Sequence, residues 1–235
     1  MRSYDHGLST FFRTLLTVFT ANLGIFGLAT GSSGNTPGEP PGTVLFLGDS
    51  LTAGYGLDPE TAYPALVQEM IEAAGLPFKA INAGVSGDTT AGGGRRLKWS
   101  LRRPVDVLVL ALGANDGLRG FNLEATRGNL RRIVIDVREA YPTAVIILAG
   151  MKVPPNMGPE YSREFESIFT DLAASGNLTL IPFLLEGVAT IPELNQSDGI
   201  HPNPAGHKVV AKTVWGFLRP VLEARSANQN RVPQP

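Results

Sequence analysis

Residues 105–112 (VDVLVLAL) and 144–149 (AVIILA) are apolar on nearly every position, and each run stops at a glycine, Gly113 and Gly150. A strand with one wet face alternates apolar and polar residues; a strand without alternation is covered on both faces. These two runs therefore demand helices above and below a sheet, and helical crossovers between parallel strands. Residues 44–47 and 178–183 read as further strands, and 78–82 as a fifth. Helical patterns fall between them, at 63–74, 123–140, 160–175 and 204–222. In the second of these, Leu130, Ile133, Val134 and Val137 share one face and Asn122 is placed to cap the first turn. The expected fold class is α/β, a three-layer α/β/α sandwich on a central, mostly parallel five-stranded sheet. In open sheets of this kind sites form beyond the carboxyl ends of the strands. That rule selects the loops starting at Gly48, Ala83, Gly113 and Gly150.

The chain ends lie outside this pattern. Residues 14–30 are apolar, follow Arg2 and Arg13, and finish in small residues, the shape of a secretory signal or N-terminal anchor. Residues 31–42 (GSSGNTPGEPPG) form a Gly/Ser/Pro linker. The expected layout is a leader and linker over 1–42, one folded domain over 43–224 and a disordered polar tail over 225–235. The leader points to export, periplasmic or secreted.

The inventory of reactive side chains is short. There is no cysteine, which excludes a thiol nucleophile and a Cys-ligated zinc. The histidines are His6, His201 and His207. Twenty basic residues against 21 acidic ones leave no basic surplus for a nucleic-acid partner.

The loop after the first strand reads Gly48-Asp49-Ser50-Leu51. A serine there stands exposed at the start of a helix, although an ordinary N-cap serine would look the same. No Gly-x-Ser-x-Gly occurs, so the α/β-hydrolase nucleophile elbow is not supported. In the second loop, Gly84 permits close backbone approach, and its N–H is a candidate oxyanion donor. The run 91–96 (AGGGRR) lacks the Lys-Ser/Thr of a phosphate-binding loop. In the third loop, the Asn115 amide is a further candidate donor. Near the end, Asp198-Gly199-Ile200-His201 sets a carboxylate three residues before an imidazole. The Asp can curl back onto Nδ1 and leave Nε2 for a serine proton. Pro202 and Pro204 keep this segment out of helix. His207, inside a helical pattern with no nearby carboxylate, reads as a surface or capping residue.

Four blocks in this order resemble the SGNH, or GDSL-like, hydrolases: GDSLTAGYG at Gly48, the Gly84 loop with SGDTT, GANDGLRG at Gly113 and DGIHPN at Asp198. The similarity is greatest to the bacterial thioesterase I/arylesterase branch. It spans roughly residues 45–207, and Ala114 departs from the glycine of some members. The resemblance implies a flavodoxin-like sandwich and a serine esterase. Ser50 would be nucleophile, His201 base and Asp198 its orienting carboxylate. Ser50 N–H, Gly84 N–H and Asn115 would form the oxyanion hole, with no metal or cofactor. It implies aryl esters, acyl thioesters or lysophospholipids as substrates, transient contact with membrane lipid, and a monomer or weak oligomer. Asp49, Leu51, Phe121, Pro154 and Met157 are candidate substrate contacts, with Leu184 near the mouth. A carbohydrate acetylesterase or a non-catalytic binding module on the same fold are the alternatives, with a metal hydrolase on Asp49, Asp198 and His201 more distant.

Overall fold

A computed structural model of the chain describes residues 41–229. The expected leader, and all but two residues of the expected linker, lie outside them. Five strands run parallel in the order β2-β1-β3-β4-β5: β1 (Gly42–Gly48), β2 (Phe78–Gly84), β3 (Val107–Ala111), β4 (Val145–Ala149) and β5 (Thr179–Ile181). The register pairs Gly48 with Gly84 and with Ala111, so three strands end level beneath the site. All five residues of β3 are fully buried, as its sequence requires. Burying such a side chain contributes about 1.5–3 kcal/mol.

The helices are α1 (Ser50–Ala53), α2 (Tyr63–Ala73), α3 (Thr90–Ser100), α4 (Ala114–Leu118), α5 (Leu123–Ala140), α6 (Pro159–Gly176) and α7 (Pro204–Gln229). α2 packs on α7, while α3 packs on α5 and α5 on α6, which gives the expected two helical layers. The anticipated face of α5 is buried, and Asn122 Oδ1 accepts Ala125 N–H at its start.

Three expectations change. α3 was not foreseen, because three consecutive glycines disfavour helix by about 1 kcal/mol each. Packing explains them in part: a methyl at Gly93 would overlap Leu112, and one at Gly92 the Asp88 carboxylate. The final helix continues through Gln229, past the expected start of the tail at 225. It is held there by Arg225, which donates to Thr143 O (2.7 Å) and Asp106 Oδ1 (2.8 Å). His207 is 1% exposed and accepts Tyr63 N–H on Nδ1 (3.1 Å), so it is no surface residue. It caps α2, whose own N-cap, Ala62, offers no side-chain acceptor. Among the described residues no helix is long and apolar enough to cross a membrane.

Candidate active site

β1 delivers Ser50 to the carboxyl edge of the sheet. Asp49 caps α1 by accepting Leu51 N–H (3.0 Å), which makes Ser50 the first residue of that helix and leaves its own N–H without an acceptor among the described residues. The loop before α7 brings in the base. Asp198 Oδ1 accepts the N–H groups of Ile200 and His201, both at 3.0 Å, which turns Oδ2 toward the ring. His201 Nδ1 lies 2.6 Å from Asp198 Oδ2, and Nε2 lies 2.9 Å from Ser50 Oγ. The carboxylate fixes the tautomer: Nδ1 carries the proton and donates, so Nε2 accepts the Ser50 hydroxyl proton. The His201 and Ile200 amide hydrogens hold the Asp198 carboxyl down at about 2, so it remains charged.

Supporting contacts hold this loop in place. Gln196 Nε2 donates to Tyr55 O (2.7 Å) and Pro202 O (3.1 Å), while Gln196 N–H donates to His201 O (2.7 Å). The Tyr55 ring lies 4.7 Å from the His201 ring. Asn203 Oδ1 accepts from Ala205 and Gly206 and starts α7.

On the opposite side, Asn115 occupies the first turn of α4. Its Nδ2 donates to Asp88 O (3.0 Å) and its Oδ1 accepts from Arg119 Nη2 (3.2 Å). One Nδ2 hydrogen remains available. Arg96 braces this arrangement, donating to Asp88 Oδ2 (2.6 Å) and to Gly48 O (2.8 Å). Sequence reasoning missed Arg96 and Gln196, each of which holds a backbone carbonyl far away in the chain, Gly48 O and Tyr55 O.

Gly84 is not free to serve as a donor. Its N–H donates to Asn82 Oδ1 (2.9 Å), and a methyl there would overlap the Thr52–Ala53 backbone. It is a glycine because α1 crosses it closely. Gly87, three residues on, has φ +79° and an N–H without an acceptor among the described residues. Its carbonyl accepts Arg119 Nη2 (3.2 Å), the same group that holds Asn115, so the two residues are neighbours. The Ser-Gly-Asp block held the signal for Gly87.

Beside Ser50 and His201 opens a cavity of about 500 Å³. Its apolar wall includes Leu51, Leu118, Val153, Pro154, Phe183 and Leu185. Of the expected contacts, Leu51 and Pro154 line it and three do not. Asp49 is fully buried beneath the serine. Phe121 falls beyond the turn at Gly120 (φ +63°) and is 45% exposed, while Leu118 takes the wall position. Met157 packs against the core after a 3-10 turn that leaves Pro154 and Pro155 in the lining. Leu184 is core, and Phe183 lines the cavity instead. Among the described residues no cluster of three His, Asp or Glu side chains could hold a metal.

Residues 46–209 match the GDSL-like lipase/acylhydrolase family. The chain is 38% identical to the esterase TesA of Pseudomonas aeruginosa over 181 residues, 77% of this chain and 89% of that protein. It is equally identical to the thioesterase 1/protease 1/lysophospholipase L1 of Escherichia coli K12, over 77% of this chain and 85% of that one. The crystal structure of the psychrotrophic esterase EstA from Pseudoalteromonas sp., inhibited by monoethylphosphonate, superposes with a TM-score of 0.73. It is 35% identical and covers 77% of this chain and 98% of its own.

Proposed function

The chain belongs to the GDSL-like lipase/acylhydrolase family, and from that premise we propose that it hydrolyses short- to medium-chain acyl esters or thioesters through an acyl-serine at Ser50. One observation carries this reading: a single imidazole bridges Ser50 Oγ and the Asp198 carboxylate at the mouth of an apolar cavity. As the Ser50 oxygen attacks the acyl carbon, its proton moves to His201 Nε2. Asp198 stabilises the imidazolium that results. The charge on the carbonyl oxygen is met by Ser50 N–H, the free hydrogen of Asn115 Nδ2 and, in place of Gly84, Gly87 N–H. His201 then protonates the departing alkoxide or thiolate. Water, deprotonated by the same nitrogen, releases the acid and restores Ser50. The apolar wall favours an acyl chain over a sugar. The signal-like leader supports export.

A fluorophosphonate should label the protein at Ser50. Ser50→Ala should lose the label and at least about 10⁴-fold in turnover of a p-nitrophenyl ester, with its circular dichroism unchanged. Label on another residue, or full activity in that variant, would overturn the assignment.

A further inference from the structure

The segment 95–103, RRLKWSLRR, holds five cations in nine residues, and no acidic residue occurs between Asp88 and Asp106. The hydrolytic site uses one of them, Arg96, which turns inward to Asp88 and Gly48. Leu97 is buried in the core. The others project outward. Arg95, Lys98 and Trp99 recur at the spacing of one face of α3, and Arg102 and Arg103 follow in the turn just past its end; all five are exposed. Trp99 is 71% exposed. Among the described residues none of these four cations has an ion pair or hydrogen bond. On α5, which packs against α3, Asp136 and Glu139 are already partnered by Arg132, at 2.6 and 4.0 Å. The whole chain carries a formal charge of -1, so this stripe is a local asymmetry and no reflection of a basic protein.

We infer that the outer face of α3 is a docking surface for an anionic phospholipid bilayer. A lone exposed tryptophan would mean little. An indole flanked by four exposed cations, along the end of one helix and the turn after it, is different, because its amphipathic ring suits the headgroup layer while the cations attract negative headgroups. The proposal names the surface by which an ester hydrolase would meet lipid, yet it does not depend on Ser50 being the nucleophile. The start of α3 is tied to the site through Thr90, which donates to Asp116 (2.6 Å). Nine residues at about 1.5 Å each put Trp99 roughly 14 Å along the helix from there. Among the described residues, none of α3 lines the cavity, so docking through this face does not use the cavity's own wall.

The test is co-sedimentation of the full chain with phosphatidylcholine vesicles, with and without phosphatidylglycerol. Binding should require the anionic lipid and weaken as salt is raised. The triple variant R95A/K98A/R102A should bind on the order of a hundredfold more weakly, about fivefold per charge. Trp99→Ala should weaken binding separately, R95K/R102K should bind normally, and all should turn over a soluble p-nitrophenyl ester as the parent does. Equal binding to neutral vesicles, undiminished binding by the triple variant, preference for DNA over vesicles, or a dimer closing over this face would overturn the proposal. An inactive esterase that still binds anionic vesicles would instead refute the hydrolytic reading and leave this one standing.

Discussion

Asp49 lies one residue before Ser50, fully buried, with Oδ1 accepting Leu51 N–H and Oδ2 without a hydrogen-bond partner among the described residues. Burial pushes its carboxyl up from 3.8 to about 7. His207, buried under Tyr63, is pushed down by burial from 6.5 to about 4. The two act on stability with opposite signs. Between pH 4 and 7 the folded protein holds a proton on Asp49 that the unfolded chain has lost, so stability falls as pH rises through this window. Between pH 4 and 6.5 the unfolded chain holds a proton on His207 that the folded protein lacks, so stability rises with pH there. Each contribution is on the order of 3 kcal/mol at its limit, and across the shared window they nearly cancel. Asp198, held at about 2, acts only below that window. Asp49→Asn keeps the acceptor for Leu51 N–H and removes the titration. Its unfolding free energy in urea should rise by about 3 kcal/mol from pH 4 to 6.5, where the parent stays nearly flat. Above pH 7 the variant should be the more stable of the two. Parallel pH profiles for both proteins would refute burial as the cause.

Among the elements, β2 and α1 meet where β2 ends, and Gly84 is the point of contact. Its φ is unremarkable, so what excludes a side chain is the Thr52–Ala53 backbone lying against it. Backbone cannot rotate aside as a side chain can. Gly84→Ala should therefore cost about 1–3 kcal/mol of stability by overpacking. It should also lower kcat on a soluble ester, because the displaced helix carries Ser50. Normal stability in thermal melts would refute the overpacking. This glycine illustrates what was legible. The residues 105–112 and 144–149 announced buried strands because burial on both faces leaves its mark in composition. Ser50, Asn115, Asp198 and His201 were legible because each stands just past a carboxyl strand end or before a helix, in a distinctive local pattern. A glycine needed for close approach and a glycine needed for a free N–H look alike, so the sequence alone does not tell the role of Gly84 from that of Gly87. α3 stayed hidden because its stability comes from contacts with Leu112, Asp116 and α5, and its own sequence opposes helix. Arg96 and Gln196 were invisible for a related reason: they hold backbone carbonyls 48 and 141 residues away, and a carbonyl leaves no sequence signature.

Across the whole molecule, the strand order decides where the substrate can lie. β1 and β3 supply Ser50 and Asn115, whereas much of the apolar wall comes from the loops after β4 and β5, through Val153, Pro154, Phe183 and Leu185. On the proposed reading, an acyl chain held at Ser50 would run outward across β4 and β5, and the cavity of about 500 Å³ would set its length. Each methylene transferred from water to that wall is worth about 0.8 kcal/mol, or roughly a fourfold gain in kcat/KM. The gain should persist while the chain stays inside and cease once it reaches the rim. Across p-nitrophenyl esters of increasing acyl length, kcat/KM should climb and then level or fall. Ala189 lines this cavity and takes no part in the Ser50–His201–Asp198 arrangement. Ala189→Phe should move the break to a shorter chain and leave the acetyl ester unchanged, since the added ring takes up cavity volume that only a longer chain needs. If the variant slowed every ester by the same factor, the cavity would not be the acyl site, and the chain would have to leave Ser50 in another direction.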